Sequence, residues 1–342
     1  MGRERALDCI DERSQRGLEI GPLASPIASR ANGTVLYVDH ADAATLRQKY
    51  ADDAHMRARL DEIVEVDHVL PQGQSLAKAL APEGPFDYII ASHVIEHIPD
   101  IVTWLDDIHS LLVTGGVLSL VVPDKRFTFD VNRRTTDVSA ILDAYHRRLV
   151  RPSFGHIYDF SSRTIHGVDA RKIWSGETAY RDVTRTDCAD PDLMAFEFAN
   201  RVLATDEFVD IHCHVFTPVS FLAILDRLGH LGLLKFELAS FHPTTRDDLE
   251  FFASLRALDM AGADLRDRQQ AGIAAGRAAL RAAESPAPWA GADGPAEEGP
   301  EIQLSDLERR LIAFKRGAMK RLRGVAPLGS PLRRPPWNAG AS

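Results

Sequence analysis

The sequence has few cysteines and lacks an excess of positive charge. Cys9, Cys188 and Cys213 are its three cysteines in 342 residues, and their scattered positions make no disulfide framework. This usage is typical of the reducing cytoplasm, where we expect the protein to be located. Asp and Glu number 49 against 40 Lys and Arg, a formal net charge of −9. That balance argues against a general nucleic-acid-binding surface, so no nucleic-acid partner is predicted.

Long apolar runs are missing as well. No stretch approaches the roughly 18 residues that a transmembrane helix needs. The first 17 residues are too highly charged for a signal peptide. Hydrophobic residues make up 45% and charged residues 26%, which are ordinary values for a globular protein. Composition therefore predicts a globular chain of one large or two smaller domains.

Short apolar runs alternate with helix-like stretches in the first third of the chain. Five of these runs are predicted strands, at 17–21, 34–40, 62–69, 86–94 and 115–124. Intervening stretches, among them 43–50 and 101–112, carry helical patterns. Buried strands separated by helices are typical of a parallel sheet covered on both faces.

The pattern breaks after the fifth strand and then returns. Residues 125–216 are rich in Arg, Asp, His and Tyr, and we interpret them as an inserted lid of helices and loops. A helix is predicted at 219–228, followed by strands at 233–241 and 248–256 that can pair as an antiparallel hairpin at the sheet edge. The predicted fold is a Rossmann-like α/β domain with a mostly parallel seven-stranded sheet, helices on both faces, and a helical tail.

The composition shifts again towards the C-terminus. We predict a core domain over 1–257, a helical extension over 258–284 and a flexible linker rich in Pro, Gly and Ala over 285–304. Residues 305–342 are predicted to form a basic amphipathic helix, 305–323, and a Pro-rich tail. This helix either packs on the protein or a protein partner, or lies on an anionic membrane surface.

The loop after the first strand reads LEIGPLASP, residues 18–26. Gly21, followed by Pro22, allows a ligand to approach the backbone closely, and Glu19 can accept hydrogen bonds from an ammonium group. Free N–H groups at the start of a following helix suit a carboxylate or a phosphate. An ordinary strand-to-loop turn explains the same residues.

Asp39 lies 20 residues after Glu19, at the end of the second strand and next to His40. A carboxylate in that position can accept two hydrogen bonds from ribose hydroxyls. A helix cap is the alternative role for Asp39. The loop at Gly21 lacks the glycine-rich repeat that cradles a pyrophosphate, which favours S-adenosylmethionine over a dinucleotide.

The segment SHVIEHIPD follows the fourth strand, at residues 92–100. Ligands of open parallel sheets bind at the carboxyl ends of the strands, so Ser92 and His93 are expected to face the cofactor or the substrate. Glu96 and His97 follow on a turn, where they can instead pair with each other or cap the next helix.

The succession LEIGPLASP, LYVDH, FDYIIASHVIEHIPD and LLVTGGVLSLVVPDKR resembles the class I S-adenosylmethionine-dependent methyltransferases, in particular the branch grouped as methyltransferase type 11. The resemblance covers residues 16–124, and residues 217–256 in architecture alone. It implies S-adenosylmethionine as the cofactor. By this resemblance the first motif contacts the methionine part, Asp39 holds the ribose, and the strand-four segment covers the cofactor. Asp67 corresponds to the acid that contacts adenine, with the QGQS stretch near Gly73 as the alternative.

A further cluster, DIHCHVFTP, occupies residues 210–218. His212 and His214 would share one face of an extended segment and are metal-ligand types, but no clear third ligand accompanies them, so no metal is predicted. One of these histidines can instead face the active site. Histidine suits a general base near neutral pH, and His93 and His214 are the predicted catalytic residues.

These observations predict a methyltransferase whose acceptor is a polar small molecule or a saccharide, as the polar insertion suggests. Two alternatives are a non-catalytic Rossmann-like nucleoside-binding or scaffold protein and a metal-dependent hydrolase built on His212 and His214. The sequence does not indicate an oligomeric state.

Overall fold

We analysed a computed structural model of the chain, which describes residues 2–53, 56–71, 73–165, 167–178, 189–205, 207, 209–259 and 265–284. Seven strands form one sheet: β1 (Arg16–Ile20), β2 (Thr34–Asp39), β3 (His68–Val69), β4 (Phe86–Ser92), β5 (Leu112–Pro123), β6 (Phe236–His242) and β7 (Glu250–Ala257). Their order in the sheet is β3-β2-β1-β4-β5-β7-β6. Neighbours among β1 to β5 are parallel, whereas β7 runs antiparallel to both β5 and β6. The predicted Rossmann-like, mostly parallel sheet is confirmed.

The third strand is much shorter than predicted. The sequence pattern indicated a strand over 62–69, but β3 pairs with β2 only through His68 and Val69. A 3-10 turn at Arg57–Glu62 occupies the stretch before it. β3 lies at the edge of the sheet, and it pairs with its single neighbour, β2, at His68 and Val69 alone.

Ten α-helices surround the sheet in the described residues. They are α1 (Gly2–Ala6), α2 (Ala43–Lys49), α3 (Leu76–Leu80), α4 (Ile101–Leu111), α5 (Val138–Arg147), α6 (Phe154–Arg163), α7 (Ala170–Ser175), α8 (Pro191–Thr205), α9 (Pro218–His230) and α10 (Leu265–Ala282). Asp100 caps α4, because its Oδ1 accepts the Thr103 N–H at 3.0 Å. This cap begins α4 just beyond the end of β4.

Alternation along β4 divides its side chains between two apolar clusters. Ile89 lies in the larger cluster, which includes Leu105 and Ile108 of α4. Tyr88 and Ile90 lie in a second cluster on the opposite face. A sheet buried on both faces directs ligands to its edge at the strand ends.

The segment between β5 and α9 leaves and re-enters the domain at one place. Lys125 donates its backbone N–H to the Phe216 carbonyl at 2.9 Å, next to a bridge between Asp124 and Phe216. Between these points lie α5 to α8, and Ile157 of α6 packs with Ala199 of α8. The segment is therefore anchored at the end of β5.

The last described helix, α10, packs on the hairpin side of the sheet. Gln269 donates to the carbonyls of Leu234, at 2.9 Å, and Phe236, at 3.1 Å. No helix in the described part of the chain is long and apolar enough to cross a membrane. The predicted linker over 285–304, the basic helix over 305–323 and Cys188 lie outside the described residues.

Candidate active site

A cavity of about 1060 Å³ opens at the carboxyl ends of the parallel strands. Ile20, Asp39 and Ser92, at the ends of β1, β2 and β4, form part of its wall. Tyr145 and Asp210, from the segment between β5 and α9, contribute another part. This is where open α/β sheets bind ligands.

Gly21 turns the chain sharply at the end of β1 and lines the cavity. Its φ is +66°, a conformation that strains residues with a Cβ. Its N–H donates to the Val38 carbonyl at 2.9 Å, which ties the turn to β2. A Cβ at this position would lie 3.4 Å from Cγ2 of Val94. The turn therefore presents bare backbone to the cavity.

Asp39 lines the same cavity and is only 6% exposed. Its Oδ1 accepts the backbone N–H of His40 at 2.7 Å and lies 2.6 Å from the ring Nδ1 of His40. Its Oδ2 is buried and meets no hydrogen-bond partner within the described residues. A buried carboxylate oxygen left unsatisfied is costly, and a ligand hydroxyl would satisfy it.

Glu19 does not lie where the sequence placed it. Its residue register pairs it with Tyr37 and Ile90, on the face of the second apolar cluster, and it is absent from the cavity wall. Its carboxylate accepts the N–H groups of Ile27, at 2.7 Å, and Ala28, at 2.8 Å. Burial raises the pKa of Glu19 to about 7, although these two N–H groups favour its ionised form. The predicted contact with the cofactor ammonium is therefore corrected: Glu19 holds the loop.

Asp67 and Pro22 also lie outside the cavity wall. The Asp67 Oδ2 accepts the Tyr37 N–H at 2.7 Å and a 2.5 Å hydrogen bond from Arg30. These contacts correct the prediction that Asp67 faces adenine. The alternative stretch is better placed, because Gly73 and Gln74 line the cavity.

Ser92 and His93 line the cavity, as expected for the residues that end β4. His93 has a φ of +53°, an uncommon conformation for a non-glycine residue and one found where function demands it. Its Nε2 is 2.8 Å from Oε2 of Glu250, the first residue of β7. Burial lowers the pKa of His93, but the hydrogen bond with Glu250 and the charges of Glu96 and Glu250 outweigh it and raise the pKa above its ordinary value.

His214 is not at the cavity, which corrects its prediction as a catalytic base. It is 1% exposed, and its Nε2 lies 3.2 Å from the Pro99 carbonyl. Burial, with the charges of His156 and Arg133, lowers its pKa to about 3. The neutral ring packs at a centroid distance of 5.4 Å against His156. Its role is therefore in packing.

A chain of polar contacts runs from Asp39 to His97. The ring of His40 joins its two neighbours: Nδ1 lies 2.6 Å from Asp39, and Nε2 lies 3.1 Å from the Lys49 ammonium. That ammonium donates to Asp210 Oδ2 at 2.9 Å, and Asp210 Oδ1 lies 2.8 Å from Nδ1 of His97. Burial raises the pKa of Asp210, but His97 and Lys49 outweigh it and hold the pKa well below its usual range.

The residue before His97 is Glu96, which lies in the turn Ile95–His97 and is completely buried. The Glu96 carbonyl accepts the N–H groups of Cys213, at 2.7 Å, and His214, at 3.0 Å. These two hydrogen bonds bring the neighbouring His212 close to Glu96 and His97. Glu96, His97 and His212 each offer a ligand-type atom, and these atoms lie within 4.8 Å of one another. The sequence pattern instead predicted that His212 and His214 share one face, because that prediction takes the segment to be extended.

The residues present fit a nucleoside. The cavity is large enough, Gly21 leaves room for close approach, and Asp39 presents a buried oxygen that lacks a partner in the described chain.

Comparisons with known proteins agree with this geometry. Residues 7–168 match the model of a family described as a methyltransferase domain. No curated protein sequence matches the chain significantly.

Two solved structures illustrate the structural matches. The CcbJ methyltransferase from Streptomyces caelestis is 14% identical, with 75% of this chain and 94% of that one covered and a TM-score of 0.37. An S-adenosylmethionine-dependent methyltransferase from Mesorhizobium loti is 14% identical, with 74% and 97% covered and a TM-score of 0.34.

The matched segment includes the strands β1 to β5, with the turn at Gly21, the carboxylate of Asp39 and the cavity wall at Ser92. Residues 7–168 match this family of methyltransferase domains, and the match supports the class I S-adenosylmethionine-dependent methyltransferase that the sequence predicts.

Proposed function

We propose that the enzyme methylates a polar small molecule or a saccharide, which enters the cavity between the end of β4 and the segment at Asp210. The observation that carries the proposal is the Asp39 carboxylate, whose buried Oδ2 lies in the cavity wall without a hydrogen-bond partner in the described residues. It anchors the cofactor at β2 and thereby leaves the polar groups beyond β4 for the acceptor.

The cofactor supplies an electrophilic methyl group on a sulfonium sulfur. In the proposed arrangement Asp39 accepts from the ribose hydroxyls, and the bare backbone at Gly21 lies against the methionine part. Gly73 and Gln74, beyond β3, border the adenine. This order follows the order of the strands, with β3 at one side of β2 and β1 and β4 at the other.

The acceptor side of the cavity is polar. His93 and His97 line it from the end of β4, and Asp210 lines it from the inserted segment. Charged partners fix two of them, His93 by Glu250 and Asp210 by Lys49, and His97 lies 2.8 Å from Asp210. Fixed donors and acceptors align a hydroxyl or amine for in-line displacement and exclude water from it. An apolar acceptor would leave these groups unsatisfied.

The first test exchanges Asp39 for Asn, which preserves the shape of the side chain and removes its charge. We expect the Kd for S-adenosylmethionine, measured by calorimetry, to rise at least tenfold, because about 1.4 kcal/mol is lost with one charge-assisted hydrogen bond. Asp67→Asn is the matched control, since this carboxylate lies outside the cavity, and its Kd should stay unchanged. An unaltered Kd in Asp39→Asn would contradict the proposed cofactor site.

A second test addresses the acceptor. The enzyme is incubated with methyl-labelled S-adenosylmethionine and two acceptor panels, one of saccharides and other polar hydroxyl or amino compounds, and one of flat apolar phenols. We expect label in the polar panel. Transfer confined to the apolar panel would overturn the proposed acceptor class while leaving the cofactor site intact.

A further inference from the structure

Glu96 precedes the cavity-lining His97 and is completely buried, at 0% exposure. Neither of its oxygens meets a hydrogen-bond partner in the described residues. Burying a carboxylate in this way is strongly unfavourable unless a charge or a ligand compensates it. Three histidine nitrogens lie 3.7 to 4.0 Å from its Oε1, close enough to offset part of the charge but without a hydrogen bond to either oxygen.

Two imidazole rings direct the same nitrogen at that carboxylate. Nε2 of His97 lies 4.0 Å from Glu96 Oε1, and Nε2 of His212 lies 3.9 Å from the same oxygen. These separations are too long for hydrogen bonds. They exceed by about 0.5 Å the roughly 3.4 Å between neighbouring tetrahedral ligands of an ion bound at about 2.1 Å, so the side chains would close in slightly on an ion.

Each ring has a carboxylate beside its other nitrogen, hydrogen-bonded in the case of His212 and close, without hydrogen-bond geometry, in the case of His97. Nδ1 of His97 lies 2.8 Å from Asp210, and Nδ1 of His212 lies 2.6 Å from Asp130. Asp130 also accepts a hydrogen bond from the buried Arg133 at 2.8 Å. A carboxylate behind a histidine is the usual partner of a metal-ligating imidazole, because it fixes the tautomer and turns the other nitrogen towards the ion.

We propose that Glu96, His97 and His212 bind a divalent transition-metal ion beside the acceptor end of the cavity. Two imidazoles and one carboxylate suit Zn²⁺, Mn²⁺, Fe²⁺ or Co²⁺ better than Mg²⁺ or Ca²⁺, which prefer oxygen ligands. Since His97 also lines the cavity, the ion adjoins the acceptor. Three protein ligands leave coordination positions for an acceptor oxygen, and this last role rests on the proposed function.

His93 repeats the arrangement from the cavity side. Its Nδ1 lies 3.7 Å from Glu96 Oε1, while its Nε2 is bound to Glu250 at 2.8 Å. It is therefore the nearest additional ligand if the ion takes a fourth protein group. Three histidines, each with its own carboxylate within 2.8 Å, surround one buried glutamate oxygen.

The test is metal binding by the full chain, purified without a histidine tag and stripped with a chelator. Zn²⁺ and Mn²⁺ are titrated by calorimetry, and Co²⁺ by visible absorption. We expect one site per chain for at least one of these ions and a rise in Tm on loading. In His212→Gln and Glu96→Gln we expect the affinity to fall at least tenfold and the Co²⁺ spectrum to be lost.

His242→Gln is the matched control. His242 also pairs with an aspartate, with Nε2 3.1 Å from Asp8, but far from the cluster in sequence and among exposed groups. Its metal affinity should equal that of the wild type. Circular dichroism identifies variants that fail to fold, in which case the wild-type titration and Tm shift decide. Absence of saturable binding of all three ions to the wild type, or equal binding by folded His212→Gln and Glu96→Gln, would overturn the inference.

Failure of this inference is distinguishable from failure of the proposed function. S-adenosylmethionine affinity is measured on the same chelator-stripped wild type. A normal Kd for the cofactor together with no metal binding would refute the metal site and leave the proposed function intact. Weak cofactor binding with intact metal binding would instead count against the placement of the cofactor at Asp39.

Discussion

At the scale of single residues, the cavity wall is set by where each side chain lies on its strand. Asp39 ends β2 and reaches the cavity, whereas Glu19 lies one residue before the end of β1 and is directed at the backbone of Ile27 and Ala28. Two acids that both lie near the end of a strand therefore have different roles. One leaves an oxygen for a ligand, and the other stabilises the loop that surrounds it.

Gly21→Ala tests the turn at the end of β1. The positive φ strains any residue with a Cβ, so we expect the free energy of unfolding to fall by about 1 kcal/mol. Because the new methyl group also lines the cavity, the Kd for S-adenosylmethionine should rise. Gly232→Ala is the control, since its φ is +71° and nothing lies within 4 Å of its added Cβ. It should lose similar stability in urea unfolding but keep its cofactor affinity; equal affinities in both variants would refute the close approach at Gly21.

Part of this wall was predictable from the sequence. Gly21, Asp39, His40, Ser92 and His93 were selected because they end predicted parallel strands, and all of them line the cavity. Their roles towards the cofactor stay predictions. Strand ends alone do not say which side a preceding residue faces, and this is why Glu19 was misplaced.

At the scale of elements, the pairing of β1 with β4 depends on a glycine. Gly17 pairs with Tyr88 in the parallel register, and a Cβ on Gly17 would lie 2.0 Å from the Tyr88 ring. The ring is fully buried in the second apolar cluster, so it has no room to move aside. The missing side chain of Gly17 is therefore a packing requirement of the sheet centre.

Gly17→Ala should consequently destabilise the protein by about 1–3 kcal/mol or more through overpacking. Urea unfolding measures the change. Gly155→Ala serves as control, because Gly155 is exposed in α6 and its added Cβ would meet only Ser153 Oγ at 3.8 Å. Alanine there should leave stability unchanged or raise it by up to about 1 kcal/mol. A neutral Gly17→Ala would show that the ring does yield.

The elements themselves were largely predictable, and their contacts were not. Apolar runs indicated all seven strands and the edge hairpin, although β3 is limited to His68 and Val69. The segment around His212 and His214 resembled an alternating strand. In the structure the N–H groups of Cys213 and His214 both bind the Glu96 carbonyl, which ends the alternation and separates the two rings. Such a contact across more than 100 residues leaves no local pattern.

At the scale of the whole molecule, two histidines from separate parts of the inserted segment pack against each other. Burial and the charge of Arg133, and further that of Arg147, lower the pKa of His156 to about 4 against the opposing effect of Asp159. Its ring packs against His214. The unfolded chain titrates near 6.5, so between pH 6.5 and 4 it binds more protons than the folded chain. This contribution to stability is present above pH 6.5 and is lost as the pH falls towards 4.

His156→Gln should therefore make the protein less sensitive to acid. Glutamine can accept the Ser153 N–H, as the His156 ring does at 3.3 Å, and so preserve the capping box of α6. Urea unfolding at pH 7 and pH 4.5 gives the loss of stability for each protein. We expect the wild type to lose about 1–3 kcal/mol more than the variant over this interval, since one pKa unit corresponds to about 1.4 kcal/mol. Equal losses would show that His156 is protonated in the folded state.

The reversed direction of β7 has a consequence for the edge of the sheet at the cavity. A parallel strand would deliver its last residue there, but β7 delivers its first, Glu250, opposite Pro123 of β5. The connection between β6 and β7 thereby fixes the position of the carboxylate that holds His93. A slip of two residues in this hairpin would carry Glu250 about 7 Å along the sheet. A change in the length of the turn at residues 243–249 would thus move the partner of His93 without any substitution in the first half of the chain.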